Sequence, residues 1–135
     1  MKDEIKNYLG IDWGKAKIGL ALADEETKIA FAFSILKNKK NPVEKIIGII
    51  KKNNVKEIII GIPSHINRKK MIYGGERLGR ILEEKLNISV SYQNEMFTTK
   101  IAQANLIQKG VKAVGKSDDS EAARIILQDW LEISH

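Results

Sequence analysis

The sequence predicts an α/β domain on a five-stranded mixed sheet, with strands 1–3 antiparallel, strands 1, 4 and 5 parallel, and helices on both faces. Three observations support this. Apolar residues alternate with a period of two through the first quarter of the chain. The period then becomes helical at Val43, Ile46, Ile47 and Ile50. Beyond that point helical segments alternate with short apolar runs, the pattern of parallel strands joined by helical crossovers. The 135 residues read as a single domain, 1–135, long enough to bury a core.

Residues 6–12 and 16–23 read as two strands joined by a tight turn at Gly14-Lys15. In the second, Ile18, Leu20 and Leu22 share one face. Gly19, Ala21 and Ala23 share the other, where small residues permit a helix to pack closely. Residues 29–36 form a third strand in which Ile29, Phe31, Phe33 and Ile35 alternate with smaller residues, completing an antiparallel meander. The first helix starts at Asn41-Pro42-Val43-Glu44, which supplies an N-cap, a proline at the first helical position and an acidic residue at the third. Lys51 and Lys52 suit its C-terminal end. Ile58-Ile59-Ile60 is a continuous apolar run, as in a central strand covered on both faces, and leads through Gly61-Ile62-Pro63 into a basic loop. A second helix follows over about 71–86, with Leu78, Ile81, Leu82 and Leu86 inward. Ile88, Val90 and Tyr92 mark a fifth strand, and further helices are expected over about 97–108 and 118–132. The order βββαβαβαα makes strands 1, 4 and 5 parallel neighbours. It puts Asp12 and Glu95 at their carboxyl ends, the edge of an open α/β sheet that carries binding sites.

The net charge is +6, and the basic residues gather in loop segments: Lys37, Lys39 and Lys40; Arg68, Lys69 and Lys70; Lys109, Lys112 and Lys116. A basic chain with a local acidic cluster suits a polyanion held around a metal. There is no cysteine, hence no disulfide framework or thiolate metal site. No apolar run approaches the length of a membrane span, and the first residues lack the apolar segment of a signal peptide. The expectation is a cytoplasmic protein without a membrane partner, monomeric or weakly dimeric. No Walker loop, zinc spacing or serine elbow is present.

Three acidic residues stand where elements begin or end. Asp12 closes the first strand and shares a face with Gly10, which would let a ligand approach. A turn aspartate that caps the hairpin backbone is the plainer account. Glu95 follows the fifth strand, and alone it reads equally well as a first-turn helix glutamate near Thr98 and Thr99. Asp119 lies on the stripe of Ala122, Ala123, Ile126 and Trp130, whereas Asp118 is rotated about 100° away. The plainer account has Ser117 as cap and both aspartates favouring the helix's positive end. Brought together, the three would repel unless a cation neutralised them, and Mg2+ or Mn2+ fits an all-oxygen set. His65, in a basic loop without an acidic neighbour, reads as inert, and Trp13 as a core or rim aromatic.

These motifs resemble one family nearly end to end. Leu9-Gly10-Ile11-Asp12-Trp13-Gly14 with Lys17-Ile18-Gly19-Leu20-Ala21 is similar to the opening hairpin of the YqgF (RuvX-like) family of pre-16S ribosomal RNA nucleases, once described as Holliday junction resolvase-like. Ile60-Gly61-Ile62-Pro63 resembles its Gly-x-Pro loop. Glu95 with Thr98-Thr99 resembles its Asp-Glu-Arg-x-Thr-Thr motif, and Asp119-Ser120-Glu121-Ala122-Ala123 its closing helix. The resemblance implies a ribonuclease H-like fold and a metal-dependent nuclease. Asp12 would bridge two Mg2+ (or Mn2+) ions roughly 4 Å apart, with Glu95 and Asp119 completing their coordination. Lys15, Lys17, Arg68, Lys69 and Lys70 are the expected nucleic-acid contacts. The expected partner is nucleic acid, in the form of precursor ribosomal RNA, with the ribosomal particle itself a further candidate. One motif departs: Asn94-Glu95-Met96 stands where the family has Asp-Glu-Arg, which removes a guanidinium able to hold a phosphate bidentately. That departure motivates one alternative, a catalytically weakened nucleic-acid-binding module. A resolvase acting on branched DNA is a second. An actin-like nucleotide-binding domain is a third, but it needs two lobes and the chain is too short for both.

Overall fold

The computed structural model describes residues 4–62, 74–94 and 118–134. Five strands form one sheet: β1 (Asn7–Trp13), β2 (Lys17–Asp24), β3 (Phe31–Lys37), β4 (Val55–Ile62) and β5 (Ser89–Asn94), in the spatial order β3-β2-β1-β4-β5. Strands β1–β3 are an antiparallel meander, and β1, β4 and β5 are parallel, as the connections require. Three helices are described: α1 (Pro42–Lys52), α2 (Gly74–Leu86) and α3 (Asp118–Ser134). The helix expected over 97–108 lies outside the described residues.

The sheet separates two cores. On one face Leu9, Ile11, Ile18, Leu20, Ile58 and Ile60 pack against Ile46 and Ile50 of α1 and Leu78 and Leu82 of α2. On the other, Tyr8, Ala21, Ala23 and Ile59 pack against Ala123, Ile126, Leu127 and Trp130 of α3. The small face of β2 thus receives α3, and the aliphatic face receives α1 and α2. Ile58-Ile59-Ile60 is fully buried because it feeds both cores.

Three local expectations are corrected. Gly10 does not open a path for a ligand. A Cβ there would lie 2.8 Å from Leu127 Cβ and 2.9 Å from the Ala123 carbonyl oxygen, so the missing side chain admits α3. Asn41 occupies the N-cap position, but in a left-handed conformation (φ 58°) and with no side-chain cap bond; asparagine tolerates that region better than most residues. Finally, β3 starts at Phe31, not at residue 29, and its apolar residues remain exposed, Phe31 at 52% and Ile35 at 36%. β3 is an edge strand, and its register slips against β2 between Leu20 and Ala21. As a result Phe31 pairs with Leu22 and Ile35 with Gly19, residues of opposite faces, and period two does not lead to burial.

Candidate functional site at the carboxyl edge of the sheet

Asp12 is the penultimate residue of β1 and is half-buried. Its partner in β2 is Gly19 and its partner in β4 is Gly61. Residues directly opposite in a ladder project to the same face. Neither lateral neighbour of Asp12 therefore carries a side chain on that face. An interior strand glycine weakens a sheet, and two in one row mark a place where something else comes close.

The face is the one α3 covers. The Tyr8 and Trp130 rings meet edge to face at 5.6 Å, and two residues further along β1 Gly10 meets Leu127 and Ala123. As β1 advances α3 recedes, so the two run antiparallel. The next step, from Gly10 to Asp12, covers about 6.6 Å of strand, equivalent to roughly four residues of helix. Four residues before Ala123 is Asp119, in the first turn of α3. Asp119 is described as part of the helix backbone, without its carboxylate. Glu95, directly after the last residue of β5, lies outside the described residues, as do Arg68, Lys69 and Lys70. Among the described residues no three His, Asp or Glu side chains form a metal-binding group. Lys15 and Lys17 are both exposed, beside the carboxyl end of β1.

Asp12 supplies carboxylate oxygens at a strand end with glycine opposite it on both neighbouring strands, and oxygen is the donor type that a hard divalent ion takes. Of two further neighbours, Trp13 is the rim aromatic the sequence suggests and Glu76 was not anticipated. The indole of Trp13 lies against the start of α2, where a Cβ on Gly74 would fall 2.9 Å from Trp13 Cδ1. Glu76, in the first turn of α2, is only 8% exposed. The helix's positive end favours a negative charge there. Its sequence signal was slight: a position three before Gly79, which faces the Tyr92 hydroxyl.

Arg124 pairs with Glu121 near the start of α3, and two further acidic residues are held by hydrogen bonds at the opposite, amino edge of the sheet. Asp24 accepts bonds from the Thr27 backbone N–H (2.7 Å), the Thr27 hydroxyl (3.0 Å) and the Glu26 N–H (3.0 Å). These hold its carboxyl below the usual range, the Thr27 backbone bond contributing most. Glu25 accepts from the Lys6 N–H and from Lys56 Nζ, both at 3.1 Å, and its carboxyl is lowered likewise, chiefly by the Lys6 bond. A groove of about 440 Å³ opens nearby, lined by Lys6, Lys51, Lys56, Asn54 and Asn87. It lies at the amino edge of the sheet and holds none of the candidate residues.

A family model described as "RuvX: Holliday junction resolvase" matches residues 6–133. A protein of Dictyoglomus turgidum is 33% identical over 134 residues, covering 92% of each chain; one of Malacoplasma penetrans is 31% identical over 139 residues, covering 97% of each. Both bear the name "Putative pre-16S rRNA nuclease". Among solved structures, T. thermophilus RuvC in complex with a Holliday junction superposes with a TM-score of 0.58 at 16% identity, covering 93% of each chain. Fowlpox virus resolvase with its junction DNA gives 0.60 at 16%, covering 93% of this chain and 97% of its own. At such identity the structures establish the shared ribonuclease H-like fold.

Proposed function

This chain belongs to the RuvX family, and on that footing we propose that it is a metal-dependent nuclease acting on precursor 16S ribosomal RNA. The observation that supports this most is the row Gly19–Asp12–Gly61, which sets a carboxylate between two glycines at the edge toward which α3 brings its first turn. In the proposal Asp12, Glu95 and Asp119 are the catalytic and metal-holding carboxylates. They are acceptors only, and hold Mg2+ or Mn2+ through oxygen. Such an ion, when bound, activates a water and stabilises the leaving oxygen of the phosphodiester. The chain's own contribution is to orient. Rigid strands fix Asp12, the helix stripe fixes Asp119, and basic side chains, Lys15, Lys17, Arg68, Lys69 and Lys70, hold flanking phosphates.

Asp12→Asn keeps the shape of the side chain and removes its charge. It is expected to abolish cleavage of precursor ribosomal RNA and to weaken Mn2+ binding, read by titration of the free ion, while the thermal transition persists. Cleavage by that variant at the parental rate would overturn the mechanism. Asn94 and Met96 favour a second reading, a module that holds ribosomal RNA without cutting it. RNA binding in EDTA, with no cleavage of RNA or of a branched DNA junction in Mn2+, would decide for it. Cleavage of the junction alone would make the chain a resolvase.

A further inference from the structure

Lys17 and Lys37 stand directly opposite each other across the β2–β3 ladder. Lys17 alternates with Gly19, and Lys37 with Ile35, so both side chains belong to the face that carries Asp12. Like charges directly opposed in an antiparallel pair destabilise it. Both residues are exposed, and among the described residues neither ammonium is paired with a carboxylate.

The pair is nevertheless held in place. Immediately after Lys37, the Asn38 backbone N–H donates to the Ala16 carbonyl (2.9 Å) and its side-chain amide donates to the Gly14 carbonyl (2.7 Å). Both acceptors lie in the turn that follows Asp12 and Trp13. The end of β3 is thus tied to the turn beside the candidate site, and two repelling cations are fixed side by side. From strand spacing and rise, the Lys17 Cα lies about 8 Å from that of Asp12 and the Lys37 Cα about 12 Å.

We infer that Lys17 and Lys37 form a two-lysine clamp for a backbone phosphate of the bound nucleic acid, next along the strand from the phosphodiester at Asp12. The inference rests on the nuclease reading and extends it. Lys37 joins the binding surface, and the bound strand leaves Asp12 across β2 toward β3. An anion between the two ammonium groups turns a repulsive pair into a binding site, which accounts for two lysines in a position that folding alone disfavours. The clamp reads the sugar-phosphate backbone and not the bases, so it carries no sequence preference.

The test is charge reversal at Lys37, with binding of a labelled single-stranded RNA followed by fluorescence anisotropy across a salt series in EDTA, where no cleavage occurs. DNA of the same sequence forms the second arm. Lys37→Glu is expected to weaken binding to both, and to reduce the slope of log affinity against log salt by about 0.7, the value for one phosphate contact on a single strand. In the absence of nucleic acid the same variant is expected to melt higher, since a repulsive cross-strand pair has become attractive. Lys52→Glu makes the same charge change at the end of α1, and there the slope is expected to hold. An unaltered slope in Lys37→Glu would overturn the clamp. So would a lowered melting temperature, an equal loss in Lys52→Glu, or a loss confined to the RNA arm. None of these outcomes bears on hydrolysis, which Asp12→Asn tests separately; a parental chain that binds neither strand would remove both readings.

Discussion

The approach of α3 to Gly10 gives the sharpest test of how the fold builds the site. In Gly10→Ala the new Cβ would lie 2.8 Å from Leu127 Cβ and 2.9 Å from the Ala123 carbonyl oxygen. Carbon atoms in good contact sit about 3.5–4.0 Å apart, so roughly an ångström must be found. Neither obstacle can be trimmed. Leu127→Ala keeps the Cβ, and the other atom is backbone. The helix itself must move, or β1 must bend, and overpacking of this kind costs about 1–3 kcal/mol. In a domain of this size each kcal/mol lowers Tm by about 4 °C, so a fall of about 4–12 °C is expected. The site should suffer more than the fold. The displaced helix carries Asp119 in its first turn; on the catalytic role proposed for it, about 1 Å of misplacement can reduce turnover by about 100-fold. Calorimetry gives the first number, and RNA cleavage well below the transition gives the second. An unchanged Tm, or rescue of Gly10→Ala by Leu127→Ala, would refute the reasoning.

Gln128 bridges α3 to the start of β3: its side-chain oxygen accepts from the Ala30 N–H (2.8 Å) and its amide donates to the Lys28 carbonyl (3.1 Å). Ala30 is buried, so Gln128→Ala should strand its N–H and cost about 1–3 kcal/mol in urea unfolding, with faster hydrogen exchange at Ala30. Two aspartates should shift the acid limb of stability in opposite senses. The Asp24 carboxyl is lowered by its Thr27 and Glu26 bonds, so its contribution is present above the unfolded-state value and is lost as pH falls through the folded one; Asp24→Asn should flatten the limb there. The Asp129 carboxyl is raised, by desolvation first and by Glu132 second, so Asp129→Asn should stabilise the fold at pH 7, with the gain vanishing below the unfolded-state value.

The parts of the fold legible in the sequence were those with a strong local period. Ile46 and Ile50, Leu78 and Leu82, and Ala123 and Ile126 face inward as their helical spacing required. The alternation Ile18-Gly19-Leu20-Ala21 announced a strand with one bulky and one small face, and the two cores divide along it. The misreadings came where the deciding partner is distant. Nothing near Phe31 or Ile35 says that β3 has no strand beyond it, so their alternation marks a strand without saying that it is an exposed edge. Gly10 looked like space for a ligand because the helix that fills that space is about 113 residues away, a separation no window of local pattern spans. Glu76 was overlooked for the same reason: its burial follows from α2 lying across the sheet, not from its neighbours in sequence.

The two kinds of strand glycine in β1, β2 and β4 separate folding from chemistry. Gly10 is filled from above by α3, so its small size is explained by packing alone. Gly19 and Gly61 lie one step further toward the carboxyl edge, beside Asp12, where α3 is reaching its first residue. Central strands flanked by helices normally carry branched aliphatic side chains, and β4 does so immediately before, in Ile58-Ile59-Ile60. A row that gives up that packing on both sides of a half-buried carboxylate is poorly explained as a stabilising feature. The proposed nuclease reading accounts for it by close approach of a ligand to the strand backbone beside Asp12. The same logic extends to the next row outward, where Lys17 opposes Lys37 and the fold again holds an arrangement that is unfavourable by itself. Two successive rows at one edge, the first with glycine on either side of Asp12 and the second with paired like charges, are both accounted for on the proposed reading by one anionic strand lying across them.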